Sequence, residues 1–172
     1  MKLAVTDACI FIDLYELELN EAFFKLELEI HTSIDVLNEL YIEQRRVLRA
    51  FESVGKLIVH SISAQDKLII SNSAYPNSLS NADKTVLFIA NRENAMVLSS
   101  DKAVRTFGKA KSIEYHGMLW IFDQLLSSGI IHPNTAIVKL SNLISSNIIY
   151  QNSQELQREM SLRIKRWENG HV

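Results

Sequence analysis

The feature that most constrains this 172-residue chain is an alternation. Apolar runs too short for helices are separated by longer stretches with apolar residues every three or four positions. Leu3–Val5, Ile30–Thr32, Leu57–Val59, Met96–Leu98 and Ser112–Tyr115 read as strands. Between them, Ile10, Phe11, Leu14 and Leu17 share one helix face, and Phe23, Phe24 and Leu26 predict a second, short helix. Ser33 is an N-cap candidate with Asp35 in the first turn. One helix is expected after it, through Leu37, Leu40, Tyr41, Val47, Leu48 and Phe51, ending at Gly55. Ala64–Ala74 is expected as a helix stopped by Pro76. Ser80 starts another, rich in apolar residues (Val86, Leu87, Ile89, Ala90), and Asp101–Phe107 makes the next. Such alternation predicts a parallel sheet covered on both faces by helices. From Gly117 the strand patterns stop. A helix through Leu119, Phe122, Leu125 and Leu126 ends at Gly129, Pro133-Asn134 opens another, and Gln154–Trp167 is a charged helix. Its Arg158, Arg163, Lys165 and Arg166, set against Glu155 and Glu159, read as a paired, solvent-facing surface or as cover for a partner. The expectation is one α/β domain over residues 1–125, with a helical C-terminal extension over 126–172 packed on it.

Composition narrows the class by exclusion. A formal charge of −2 carries no electrostatic footprint of a nucleic-acid binder, though a local basic stripe can coexist with it. Cys9, the single cysteine, rules out an internal disulfide and a thiolate metal cluster and fits a reducing compartment. Asp7 and Asp13 interrupt the apolar opening, so it does not read as a signal peptide, and no run approaches the ~18 residues of a membrane span. A soluble, cytoplasmic protein with no membrane association is expected. No glycine-rich phosphate loop occurs, which speaks against nucleotide hydrolysis or dinucleotide chemistry. His31, His60, His116, His132 and His171 lack the spacing of paired metal ligands.

Four acids fall where such a fold presents its ligand crevice, beyond the carboxyl ends of the strands. Asp7 closes the first strand, Asp101 follows the fourth, Glu39 rides the helix leaving the second, and Asp83 begins the helix feeding the fourth. Each has a plain structural explanation. Asp7 and Asp101 suit N-caps, Asp83 lies three residues after Ser80 as in a capping box, and Glu39 suits a solvated face. Together they would repel one another, and a hard divalent cation such as Mg²⁺ or Mn²⁺ relieves that repulsion. Metal-assisted phosphodiester hydrolysis is the chemistry this donor set suits best. A haloacid-dehalogenase-like phosphatase would need an aspartate where Cys9 stands. A receiver domain would need one closing the third strand, where Val59-His60 stands.

In context these positions resemble the PIN-domain family over about residues 1–125. V-T-D-A-C-I-F-I-D-L carries Asp7, T-S-I-D-V-L-N-E-L carries Glu39, L-S-N-A-D-K-T-V-L-F-I-A carries Asp83, and V-L-S-S-D-K-A-V-R carries Asp101. Two residues after the first aspartate the family commonly has serine, threonine or asparagine, so Cys9 is a departure that weakens a polar contact and removes no expected ligand. The resemblance implies a three-layer α/β/α sandwich with a central parallel sheet. It implies a Mg²⁺- or Mn²⁺-dependent ribonuclease in which Asp7, Glu39, Asp83 and Asp101 are the catalytic and metal-binding residues. It further implies a homodimer and, for members of the VapC toxin type, a cognate antitoxin. The C-terminal helices are similar to those of prokaryotic PIN-like proteins longer than a minimal toxin. A PIN-like module that binds nucleic acid or protein without catalysis is the alternative. For an RNA substrate, Lys102, Arg105 and Lys109 share a helix face beside Asp101, and Arg45 and Arg49 form a second pair beyond Glu39. The same spacing also fits ordinary solvated helix faces.

Overall fold

The computed structural model describes residues 1–170; His171 lies outside the described residues. In chain order the elements are β1 (Lys2–Thr6), α1 (Ala8–Glu16), α2 (Asn20–Phe23), β2 (Leu28–Ser33), α3 (Ile34–Glu39), α4 (Ile42–Ser53), β3 (Leu57–His60) and α5 (Ala64–Asn72). They continue with α6 (Asn81–Glu93), β4 (Met96–Leu98), α7 (Lys102–Ala110), β5 (Tyr115–His116), α8 (Met118–Ser127), α9 (Pro133–Ser146), α10 (Ile148–Asn152) and α11 (Gln154–Glu168). The five strands form one sheet in the order β3-β2-β1-β4-β5. All neighbours run parallel. The central parallel sheet with its helices, and the helical C-terminal region, are the architecture expected from the sequence. Among the described residues no helix is long and apolar enough to cross a membrane.

The chain folds as two compact units, each with its own core. The first, Met1–Ile12 with Glu27–Met118, holds the sheet. Its centre is β1, where Ala4, Val5 and Thr6 are fully buried, and α6 packs across β1, β2 and β4 through Val86, Ile89 and Ala90. Apolar residues on both faces of a strand are what a sheet covered on both sides demands. Asn94 ends α6 in the left-handed conformation, φ 51°, a shape asparagine tolerates better than most residues.

The single helix expected between Ser33 and Gly55 is two. Leu40 (φ −87°, ψ 150°) and Tyr41 leave helical geometry, so α3 stops at Glu39 and α4 starts at Ile42. Leu40 stays buried while Tyr41 turns outward. The break is held by polar contacts on both sides: Tyr41 N–H donates to Gln44 Oε1 at 3.0 Å, and Arg45 Nη2 donates to the Leu40 carbonyl at 3.1 Å. The helix expected to run to Ala74 ends at Asn72, and Phe24 and Leu26 follow α2 rather than lie in it.

The second unit comprises Asp13–Leu26 and Leu119 onward. Its apolar centre includes Phe122, Leu125, Leu140, Tyr150, Met160 and Trp167. The α11 helix is not simply solvent-facing. Arg163 forks onto Asp123 of α8, with Nη2 2.8 Å from Oδ2 and Nε 3.1 Å from both oxygens, while Nη1 takes Glu159 at 3.0 Å. The short α10, capped by Asn147, had no separate signature in the sequence. Asp13 is buried in this unit, where its Oδ1 accepts from Asn147 Nδ2 at 3.0 Å.

Burial pushes the Asp13 carboxyl up to about 6, against the hydrogen bonds of Asn147 and Tyr150, and the charge of Glu16 adds to the rise. A raised folded-state value means the stabilising form is the protonated one. Its contribution is complete below the unfolded value of 3.8 and is lost as pH rises through about 6. Asp13→Asn keeps an acceptor for Asn147 and has no proton to lose. At pH 7.5 the variant is expected to be more stable than the parent by up to about 3 kcal/mol, at roughly 1.4 kcal/mol per pKa unit. The advantage should vanish near pH 4, as read by urea unfolding at the two pH values.

Candidate active site at the carboxyl edge of the sheet

Strand order reverses at β1: the chain moves from β1 to β2 and β3 on one side and returns to β4 and β5 on the other. In open parallel sheets the connections diverge at such a point and leave a crevice at the carboxyl edge. Asp7 stands there as the first residue past β1. Its N–H continues the ladder to the Leu98 carbonyl of β4, at 3.1 Å. Beside it, Thr32 Oγ1 donates to the Thr6 carbonyl at 2.8 Å and so satisfies the last acceptor of β1.

The Asp7 carboxylate is 3% exposed. Its Oδ1 accepts from the Ile10 N–H at 3.1 Å and from Cys9 Sγ at 2.9 Å. Cys9 Sγ in turn accepts from the Ser100 N–H at 3.2 Å. Cys9 is thus half-buried and engaged, and it supplies the polar contact that its departure from the family pattern was expected to weaken. Burial pushes the Asp7 carboxyl up to about 6; hydrogen bonds from Cys9, Ser99 and Ile10 oppose the rise, and the charge of Asp83 adds to it.

Asp83 is fixed by a reciprocal cap at the start of α6. Ser80 Oγ accepts from the Asp83 N–H at 3.1 Å, and Asp83 Oδ2 accepts from the Ser80 N–H at 2.8 Å. Glu39 faces it from the end of α3. Its carboxyl is raised by partial burial first and then by the charge of Asp83, against a hydrogen bond from the Ser80 side chain. A buried hydroxyl chain holds these two helices in register. Ser33 Oγ accepts from the Val36 N–H at 3.1 Å, as the N-cap of α3, and meets Thr85 Oγ1 at 2.7 Å. Thr85 passes its own proton to the Ala82 carbonyl at 2.7 Å.

Asp101 caps α7, with Oδ1 accepting from Ala103 and Val104 N–H at 2.7 and 3.0 Å. Its own N–H donates to Ser99 Oγ at 3.0 Å, and the Ser99 side chain bonds Asp7. One hydroxyl therefore links the first and fourth acids. Asp7, Asp83 and Glu39 form an electrostatically coupled series, while Asp101 is tied to it only by its backbone N–H on Ser99. Ser99 and Cys9 are the contributors that residue type alone did not reveal. For Ser99 the available signal was its place in the S-S-D triplet after β4.

Of the five cations expected near a substrate, Lys102 and Lys109 are exposed. Arg105 is half-buried, and its Nε has no partner among the described residues. Arg45 serves the α3–α4 break, and Arg49 pairs with Glu52 on α4. The histidines give an unexpected contact. The parallel pairing of β2 with β3 brings His31 Nδ1 to 2.8 Å from His60 Nε2, with Glu29 on His31 and Arg92 on His60.

All four donors at the edge are carboxylates, the ligands a hard divalent cation prefers. Among the described residues no group of three or more histidine, cysteine or acidic side chains stands close enough together to hold a metal ion. Mg²⁺ does not require such a group, since it keeps several waters and binds through one or two carboxylates plus substrate phosphate. Asp7 and Asp83, which feel each other's charge, are donors of the type such an ion takes.

Residues 3–163 match a family model described as PIN domain. Comparison with curated proteins gives no match. Among solved structures, a PilT N-terminus domain protein from the hyperthermophilic archaeon Sulfolobus solfataricus is similar at 14% identity and a TM-score of 0.45, over 73% of this chain and 92% of that one.

Capping and any chemistry at Asp101 can be separated by substitution. Asp101→Ala removes the cap of α7 and is expected to cost about 1 kcal/mol, while Asp101→Asn, an equally good cap, stays within a few tenths. Thermal or urea unfolding of the two variants reads the difference.

Proposed function

Because this chain belongs to the PIN-domain family, whose members are commonly nucleases that use divalent metal ions, we propose that it is a metal-dependent endoribonuclease cutting RNA at the carboxyl edge of β1 and β4. The observation that carries this reading is the buried Asp7 at the strand-order reversal, raised to about 6 and electrostatically coupled to Asp83. Asp13 is buried and raised to about 6 as well, so burial is not the distinguishing feature; Asp7 differs in ending the central strand at the reversal and in feeling the charge of Asp83. In this reading residues 1–125 carry the nuclease and 126–172 extend it.

Asp7 and Asp83 would hold Mg²⁺ or Mn²⁺ together with water and substrate phosphate, Asp101 would reach the ion through water, and Glu39 would ligate a second ion or orient the attacking water. When bound, the cation supplies an activated water and charge stabilisation on the phosphate. Cys9, Ser99 and the Ile10 N–H hold the Asp7 carboxylate in one orientation. The Ser80 hydroxyl bonds Glu39, whose carboxylate would take a proton from water in this reading. Exposed Lys102 and Lys109 give the approach beside Asp101 a positive lining for the RNA backbone. A role as the toxin of a toxin–antitoxin pair, with an antitoxin partner and a homodimeric form, rests on family likeness alone.

The capping duties of Asp83 and Asp101 favour a second reading, a PIN-like binding module in which the acids only start helices. Two measurements separate the readings. Cleavage of mixed single-stranded RNA in millimolar Mn²⁺ should disappear with chelator and fall at least ~100-fold in Asp7→Asn and Asp101→Asn, comparable to losing a preorganised charge-stabilising group. Mn²⁺ should also raise the melting temperature at pH 7.5, by the equivalent of about 2.7 kcal/mol at 100 times Kd. The rise should shrink below pH 6, where Asp7 takes up the competing proton. No cleavage together with equal Mn²⁺ shifts in the parent and Asp7→Asn would establish the binding module.

A further inference from the structure

Beside the acidic edge, α3, α6, α5 and the loop before α5 line an open cleft of about 280 Å³. That is the small end of the range of ligand pockets, suited to one planar group rather than an extended ligand. Its polar lining is Asp35, Lys67, Ser71 and Asn81; its apolar lining is Ile62 and Ile70. It borders the candidate centre through Asp35 and the start of α6. Asn81 is two residues before Asp83 on α6, and Asp35 lies one helical turn before Glu39 on α3, close enough for its charge to raise the Glu39 carboxyl. Thr85, which ties α6 to Ser33, also borders it, so its wall is fixed by the same hydroxyl chain that sets Glu39 against Asp83.

We propose that this cleft is a base-recognition pocket selective for guanine in a single-stranded RNA. Single-stranded bases are read by stacking or apolar packing on their faces and by hydrogen bonds on their edges. A carboxylate accepts two parallel N–H bonds, and among the four bases only guanine presents two adjacent donors, N1–H and the N2 amine, on one edge. Adenine and cytosine set a ring-nitrogen lone pair beside their amine, and uracil sets its one N–H between two carbonyls; each would face Asp35 with repulsion. On the other side guanine carries two acceptors, O6 and N7. The Lys67 ammonium and the Asn81 amide are the donors for them, and Ile62 and Ile70 cover the ring faces. The place of this pocket next to a scissile phosphodiester rests on the nuclease reading; its ability to hold the base does not.

The test therefore uses the full chain in EDTA, with no cleavage involved. Guanosine, adenosine, cytidine and uridine 5′-monophosphates are titrated while backbone amide resonances are followed. GMP is expected to shift Asp35, Ser71 and Asn81 with an affinity about tenfold above the other three, the discrimination of one good bidentate pair. Asp35→Asn should erase that preference, because an amide offers one acceptor where guanine needs two. Lys67→Met, at an exposed position where folding is not at risk, should weaken GMP binding, and it decides the matter should Asp35→Asn fold poorly. Equal binding of the four nucleotides, shifts that map elsewhere, or a GMP preference untouched by both variants would overturn the proposal. RNA cleavage without GMP selectivity would remove this inference and leave the nuclease; GMP selectivity without cleavage would do the reverse.

Discussion

The reversal of strand order at β1 is the constraint on which the site depends. Two parallel halves diverge from one central strand, and the residue that ends it is left at the mouth of the crevice between them. A carboxylate in that position is nearly dry, and the fold compensates it locally with a thiol, a serine hydroxyl and a helix N–H. Those partners belong to α1 and to the loop after β4. Orientation of Asp7 is thereby tied to the pairing of β1 with β4 through the Asp7 N–H and the Leu98 carbonyl.

The other acids reach the edge by a different device. Asp83 and Asp101 are held by backbone N–H groups at helix starts, where an anion is welcome both as hydrogen-bond acceptor and as complement to the helix dipole. Glu39 lacks such a bond to backbone and depends on the Ser33–Thr85 hydroxyl pair, which fixes α3 on α6, and on Ser80. The break after Glu39 contributes as well. A continuous helix would have carried Leu40 and Tyr41 onward with the same face; with the chain extended there, Leu40 enters the core and α3 ends at the acid.

Much of the fold was legible because its signals are local. Short apolar runs marked β1 to β4, with Met96–Leu98 matching β4 residue for residue, whereas the expected Ser112–Tyr115 strand meets β5 only at Tyr115. Ser33 and Ser80 announced their helices through capping chemistry that spans three residues. The break at Leu40 was not legible, since Leu37, Leu40 and Tyr41 keep the helical period across it and the compensating bond from Arg45 is invisible to periodicity. The pairing of His31 with His60 was hidden for another reason: the two are joined by strand register, not by spacing along the chain. In the site, residue types and order placed four acids at one edge. The bridges through Cys9 and Ser99 needed the β1–β4 pairing to become visible.

Three of the four acids begin helices, and this has a consequence for reading relatives of this chain. A relative without chemistry at this edge would still need polar caps at the starts of α1, α6 and α7, so aspartate, asparagine or serine at positions 7, 83 and 101 says little by itself about a reaction. Glu39, which caps nothing, has no such second employer. Its retention or loss in other sequences is therefore the more discriminating record of whether such an edge performs a reaction.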